Sequence, residues 1–224
     1  LSYLKESGKA NNTIIIYISD NGMAFPGAKT NVYEPGLKLP CIISSPFIKH
    51  RGTTNDAMIS WVDMTPTILD MAGVDISKED FMGRSFLPIL DGEITKGWDK
   101  MYASHTFHEI TMYYPMRAMR KGDYKIIWNI AYQLEYPFAS DLWVSSTWQS
   151  VLRNNKKYFG KRTAEAYLHR PEFELYNLKE DPDEINNLAT KKEYADILEE
   201  MKNYIKKWQL KTKDPWYIMW NHDA

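Results

Sequence analysis

Thr13-Ile14-Ile15-Ile16-Tyr17-Ile18-Ser19-Asp20-Asn21-Gly22 decides the fold of this chain. Its first six residues favour extended backbone and are apolar on both faces, which predicts a central strand in a sheet covered by helices. The strand then stops on a carboxylate and an amide set side by side. Carboxyl ends of strands are where open α/β sheets place their sites. Upstream, Leu1 to Gly8 reads as the last turns of a helix with Gly8 as its stop. Helix, glycine and buried strand is the order of an α/β domain.

Working outward, a loop of about 20 residues leads to a second apolar strand at Leu39 to Ser44, a connection long enough to be functional rather than a plain link. Asp63 to Gly73 carries a capping Asp or Thr, Pro66 in its first turn, apolar residues at helical spacing and a terminal glycine, and is predicted helical. Residues 75–100 read as mostly loop. A strand is expected at 101–104, a hairpin at 116–130 turning at Lys121-Gly122, and a further strand at 174–178. From Thr190, a Thr190-x-x-Glu193 capping box opens a helix to about Leu210. Tyr194, Ile197, Leu198, Met201, Tyr204, Ile205 and Trp208 form one stripe on it, which should lie across the small sheet. The expected fold class is therefore α/β, in two parts. Residues 1–100 form the C-terminal part of a larger α/β domain, and residues 101–224 a small α+β subdomain with an antiparallel sheet and a C-terminal helix.

The 224 residues are 44% hydrophobic and 25% charged, a balance that builds a core and excludes a disordered chain. Twenty-eight Lys and Arg against 29 Asp and Glu leave no global basic field, so nucleic acid is not an expected partner. The longest apolar runs fall far short of the roughly 20 residues of a bilayer span. A single cysteine, Cys41, excludes an internal disulfide framework and a Cys-based zinc cluster; lying in an apolar strand, it reads as a core thiol. With no initiator Met and no leader segment, the sequence is expected to start inside a domain.

Asp20 and Asn21 offer two hard oxygen donors, suited to Ca²⁺ or Mg²⁺. Asp-Asn-Gly is also a common turn, because Asn and Gly tolerate left-handed backbone. Pro26-Gly27-Ala28-Lys29-Thr30-Asn31 brings a cation, Lys29, into the same loop, and Tyr33-Glu34-Pro35-Gly36-Leu37-Lys38-Leu39-Pro40 leads back to the sheet. His105, His108 and Glu109 form either a polar cluster at a strand end or part of a sugar pocket, since such groups hydrogen-bond hydroxyls and move protons. Arg117 could grip a carboxylate or sulfate with two parallel bonds. The aromatic and basic stretch 143–170 has irregular spacing and reads as core aromatics under a solvated face.

In order and spacing these residues resemble the sulfatase family of the alkaline-phosphatase-like fold. The resemblance rests on Asp20-Asn21-Gly22 after a core strand, the downstream Lys29 and the Tyr33 to Pro40 return. Ser44-Ser45-Pro46, Val62 to Asp70, Gly83-Arg84-Ser85-Phe86-Leu87-Pro88, Glu174 to Leu178 and Asp181-Pro182-x-Glu184-x-x-Asn187-Leu188-Ala189 extend it over nearly the whole chain. Phe25-Pro26, His108-Glu109-Ile110-Thr111-Met112, Tyr114-Pro115-Met116-Arg117 and Asp214-Pro215-Trp216 are similar to the heparan N-sulfatase branch.

The resemblance implies that Asp20 and Asn21 are two ligands of a divalent cation, usually Ca²⁺, and that Lys29 is a catalytic cation touching the sulfate. His105, His108, Glu109 and Arg117 would bind a sulfated saccharide. It also implies an exported or lysosomal setting and a formylglycine nucleophile made from a Cys/Ser-x-Pro/Ala-x-Arg motif. No such motif occurs here: Cys41 is followed by Ile42-Ile43-Ser44-Ser45. The nucleophile and remaining ligands are thus expected upstream of Leu1, in a further half of the same protein with which this chain folds and without which it is inert. An O-sulfatase, a phosphoryl hydrolase of the same superfamily and a non-catalytic module for sulfated glycans are the competing readings, and a formylglycine motif in the preceding sequence would separate them.

Overall fold

The computed structural model describes residues 1–92 and 96–221. Its elements run α1 (Ser2–Glu6), β1 (Ile15–Ile18), α2 (Glu34–Leu37), β2 (Cys41–Ser44), α3 (Met64–Met71), β3 (Lys100–His108) and β4 (Met112–Lys121). Then follow β5 (Tyr124–Asn129), α4 (Ser140–Trp143), α5 (Ser146–Arg153), β6 (Tyr158–Phe159), β7 (Arg162–Thr163), α6 (Ala164–Leu168), β8 (Phe173–Asn177) and α7 (Ala195–Thr212). They form two compact units, residues 1–20 with 40–99, and residues 21–39 with 100–224.

In the first unit β1 pairs antiparallel with β2, Ile15 opposite Ser44 and Ile18 opposite Cys41. The expectation of a doubly covered central strand is not met within this chain. Tyr17 is 63% and Ile42 62% exposed, and Ile18 is exposed beside them. A strand apolar on both faces needs more sheet and more helix than this unit supplies. Cys41 is half-buried rather than fully in a core, and its burial pushes the thiol pKa up. The unit's own core is Phe86, Ile89 and Trp98, with Ile43, Ile59, Met64 and Leu90 against it. Asp63 does not cap α3 as expected. It closes a capping box on the preceding 3-10 turn, accepting from the Ser60 amide at 2.9 Å, and its other oxygen accepts from the Arg84 amide at 2.8 Å. Gly83 permits that crossing, since a Cβ there would lie 2.1 Å from the Val62 carbonyl oxygen. Residues 75–92 and 96–99 are irregular apart from the 3-10 turn Leu87–Ile89; the part of the predicted loop at 93–95 lies outside the described residues.

The second unit is built on a four-stranded antiparallel sheet in the order β3-β4-β5-β8. The hairpin forms where expected, with Lys121 opposite Tyr124 and Gly122 left-handed in the turn; β3 runs well beyond the four residues predicted for it. Both faces are covered. Met112, Tyr114, Met116, Ala118 and Ile127 face a core made with Val32, Tyr33, Tyr136, Trp148, Phe159 and Tyr167, so three aromatics of stretch 143–170 are core as read, while Trp143 and Tyr158 are exposed. Met119, Ile126, Trp128 and Leu175 face Leu198, Met201 and Ile205 of α7, which lies across the sheet as the stripe required. The Thr190 capping box does not form. Leu188 N donates to Leu175 O, which brings the chain off β8 into a 3-10 turn at Lys192–Tyr194, and α7 starts only at Ala195 without a side-chain cap.

Segment 21–39 packs on this sheet through buried polar groups. Tyr33 donates to Glu174 at 2.8 Å, Glu174 also accepts from Asn129 at 2.7 Å and from Tyr176, and Asn31 accepts from Arg170 at 2.8 Å. Lys125, 1% exposed, lies 2.8 Å from Glu184 and 3.2 Å from Glu34, whose other oxygen takes Arg120 at 2.7 Å. Burial pushes the Glu184 carboxyl up, and Lys125 pulls against it. Removing one member of such a set strands the others. Lys125→Met in the full-length protein is expected to lower unfolding free energy by about 3–5 kcal/mol, read from urea denaturation; a loss under about 1 kcal/mol would mean that these charges reach water.

Candidate functional site

Asp20 lies two residues beyond the end of β1, and its carbonyl accepts from the Trp61 indole at 3.3 Å. Asn21 Nδ2 donates to the Gly22 carbonyl at 2.7 Å. Neither Asn21 nor Gly22 is left-handed, so the motif is not a turn of the kind built on left-handed Asn or Gly. Gly22 is instead a close-approach glycine: a Cβ would sit 2.4 Å from the Pro35 carbonyl oxygen, where segment 21–39 folds back on itself. The carboxylate and amide suit a hard divalent cation, but such an ion takes about 6–8 oxygens. Among the described residues no group of three or more His, Cys, Asp or Glu could hold one. Two oxygens of this kind are at most part of a ligand set of that size.

Lys29 Nζ donates to Asp141 Oδ2 at 2.5 Å. Its backbone is held as tightly. Lys29 N donates to the Met23 carbonyl at 3.0 Å, and Thr30, left-handed at φ 63° despite its branched side chain, gives its carbonyl to Tyr136 Oη at 2.7 Å. Asp141 Oδ1 accepts from the Leu142 amide at 2.8 Å. The Lys29 hydrogen bond holds the Asp141 carboxyl below the usual carboxylate range, with the Leu142 amide acting the same way.

His108 Nε2 lies 3.4 Å from Glu109 Oε1. Glu109, left-handed at the tip of the β3-β4 hairpin, accepts from Ser140 Oγ at 2.9 Å and from the Ser140 amide at 3.2 Å. Lys29 and Glu109, with His108 beside Glu109, therefore meet at the start of α4, Ser140-Asp141. His105 stands apart from them. Its Nδ1 is 3.1 Å from the Tyr114 carbonyl, and burial lowers its pKa, so the ring is neutral with Nδ1 as donor.

Arg117 does not take the role expected of it. It is 4% exposed, and its Nε and Nη2 make a bidentate bond to Asp214 at 2.5 and 2.8 Å, while Nη1 donates to the Met116 and His105 carbonyls. Four of the five N–H donors of the fork are used inside the protein, so the guanidinium is committed to internal partners.

Residues 27–141, the segment that spans Lys29 to Asp141, match the family described as N-sulphoglucosamine sulphohydrolase, C-terminal. The chain belongs to that family. It is 36% identical to human N-sulphoglucosamine sulphohydrolase over 96% of its length, and 30% identical to an N-acetylglucosamine-6-O-sulfatase of Bacteroides thetaiotaomicron over the same share. It covers 45% and 33% of those two proteins, so the chain spans less than half the length of these relatives. A solved structure described as a complex with its substrate D-glucosamine-2-N,6-O-disulfate superposes with a TM-score of 0.66 at 25% identity, over 96% of this chain and 37% of that one. A 2-O glycosaminoglycan sulfatase at 22% identity has a TM-score of 0.69, with 96% and 40% covered. The sulfatase fold read from the sequence holds.

Membership of the N-sulphoglucosamine sulphohydrolase family does not make Ser140 and Asp141 visible in the sequence as site residues. Their signal is slight: Pro137-Phe138-Ala139-Ser140-Asp141 reads only as a helix start. The Arg117–Asp214 pair spans 97 positions and gives no local sign at all. No helix among the described residues is long and apolar enough to cross a membrane.

Burial pushes the Asp214 carboxyl up, but Arg117, Gln209 Nε2 and the Trp216 amide together hold it below its ordinary value. A carboxylate with a depressed folded pKa stabilises the protein above the unfolded value of about 3.9, and that contribution is lost as pH falls through the folded value. Full-length Asp214→Asn is expected to be less stable than the parent at pH 7, with the difference shrinking below about pH 4 in unfolding curves followed by circular dichroism. A difference independent of pH would mean that Arg117 does not act on a charged Asp214.

Proposed function

We propose that the protein containing this chain is a sulfohydrolase that removes N-linked sulfate from N-sulfoglucosamine at the non-reducing end of heparan-type glycosaminoglycans. The observation that carries this reading is the meeting of Lys29 and Glu109, with His108 beside Glu109, at the Ser140-Asp141 start of α4, within the segment matched by the N-sulphoglucosamine sulphohydrolase family. A sulfuryl group spreads negative charge over several oxygens, and an ammonium beside them stabilises charge that grows as the S–N bond breaks. Lys29 supplies that ammonium. His108 and Glu109 present a ring nitrogen and carboxylate oxygens to sugar hydroxyls, and such groups reject a ligand that leaves them buried without a partner.

Asp20 and Asn21 would hold a calcium-type cation which, when bound, polarises sulfate oxygens. A formylglycine nucleophile is assigned to the part of the protein preceding Leu1. An O-sulfatase is the second reading, favoured by the likeness to the Bacteroides 6-O-sulfatase and to the structure whose substrate carries both N- and 6-O-sulfate.

Full-length enzyme should release sulfate from N-sulfoglucosamine at least about tenfold faster than from glucosamine 6-sulfate, since discrimination by hydrogen-bonding groups runs well above that of apolar pockets. The reverse order would retain the sulfatase and replace its substrate. Asp20→Ala should remove both turnover and bound calcium measured by atomic emission, and Lys29→Ala should lower kcat about 100- to 1000-fold. Calcium retained at parent level in Asp20→Ala would end the metal assignment.

The same reading makes β1 and β2 part of a larger sheet completed by upstream residues, consistent with the exposed Tyr17, Ile18 and Ile42. The 224-residue chain expressed alone is expected to aggregate or melt without cooperativity. A monomer with a sharp thermal transition would show that its strands need no further partner.

A further inference from the structure

The Lys29 ammonium ends a flexible four-carbon stem, and its place has to be fixed by something other than the loop that carries it. Asp141 does this with a carboxylate that is itself fixed, one oxygen on Lys29 Nζ at 2.5 Å and the other on the Leu142 amide at 2.8 Å. The neighbouring Ser140 holds Glu109 through both its amide and its hydroxyl, and Glu109 stands beside His108. Tyr136, four residues before Ser140, takes the Thr30 carbonyl next to Lys29. One short stretch, residues 136–141, thus grips the Lys29 loop and ammonium on one side and Glu109 on the other.

The ion pair is half open to solvent, with Lys29 23% and Asp141 42% exposed. A pair so placed adds little to folding stability. A carboxylate beside an anion site also opposes anion binding, so its presence there is not explained by affinity. What it does supply is orientation, and catalysis is sensitive to that, since misplacing a group by about 1 Å costs on the order of 100-fold.

We propose that Asp141 is a positioning residue that sets the Lys29 ammonium against the sulfate at a fixed distance from His108 and Glu109. The proposal deepens the reading of Lys29 as the sulfate-contacting cation and rests on it. In the full-length enzyme, Asp141→Asn should lower kcat about 10- to 100-fold while KM for the sulfated saccharide stays level or falls, because the repelling charge is gone. Asp141→Glu should recover part of the lost kcat. In a Lys29→Ala background, Asp141→Asn should change kcat by less than about twofold, the non-additivity of groups acting through one another. The melting temperature should stay within a few degrees of the parent.

The same loss in both backgrounds, or a raised KM with kcat intact, would overturn the proposal. If Lys29→Ala lowered kcat and Asp141→Asn left it unchanged, Asp141 alone would lose its role. If Lys29→Ala left kcat unchanged, the reading of Lys29 would fall first, and the role of Asp141 with it.

Discussion

Glu174 accepts hydrogen bonds from Tyr33, Tyr176 and Asn129 inside the second unit, and the course of segment 21–39 depends on that one carboxylate. A charge in an interior is costly unless its lone pairs are filled and a countercharge is near. Here three donors fill them, and the Arg162 guanidinium lies 3.8 Å over the Tyr33 ring and bonds Tyr176. Burial and Glu174 push the phenols of Tyr33 and Tyr176 up, so both remain donors across the physiological range. The set works as a unit: each group is acceptable in the core only because the others are there.

A second buried set repeats the device one residue later. Glu34 joins Lys125, Arg120 and Glu184, and its own amide donates to Glu184 at 2.6 Å. Two consecutive residues, Tyr33 and Glu34, thereby fix the far end of the loop to β5, β8 and the turn beyond β8. At the middle, Asn31 is held by Arg170, which is buried near four tyrosine rings and stacks 3.5 Å over that of Tyr136. With Asn31, Tyr33 and Glu34 anchored, the backbone before them has little freedom, and Thr30 is forced left-handed immediately after Lys29. Stability stored in the polar core is what keeps the backbone of the lysine in place.

Arg117 and Lys29 show how similar residues diverge. Both sit in motifs that read as anion contacts. The rigid fork of Arg117 finds a carboxylate and two carbonyls in the interior and is spent on joining β4 to the end of α7. Lys29 meets one carboxylate at the surface and keeps the hydration and reach that an anion contact needs.

The sequence alone determined the family, the strand that ends in Asp20-Asn21, the β4-β5 hairpin and the apolar stripe of α7. Each of these is written in neighbouring residues, through β propensity, a turn glycine or a helical period, or in a motif whose order survives divergence. It overstated the cover on β1, because apolarity on both faces states a need for neighbours and not their presence in the chain. It placed helix starts at Asp63 and Thr190 on capping grammar: α3 does start beside Asp63, though that side chain is taken by Ser60 and Arg84, while the bond from Leu188 to Leu175 goes with a start of α7 delayed to Ala195. Only the tertiary structure decided that Arg117 is internal and that Lys29 belongs with Ser140 and Asp141. Those partners lie 97 and 112 positions away, and a bond between side chains so distant in sequence leaves no period or spacing from which it could be read.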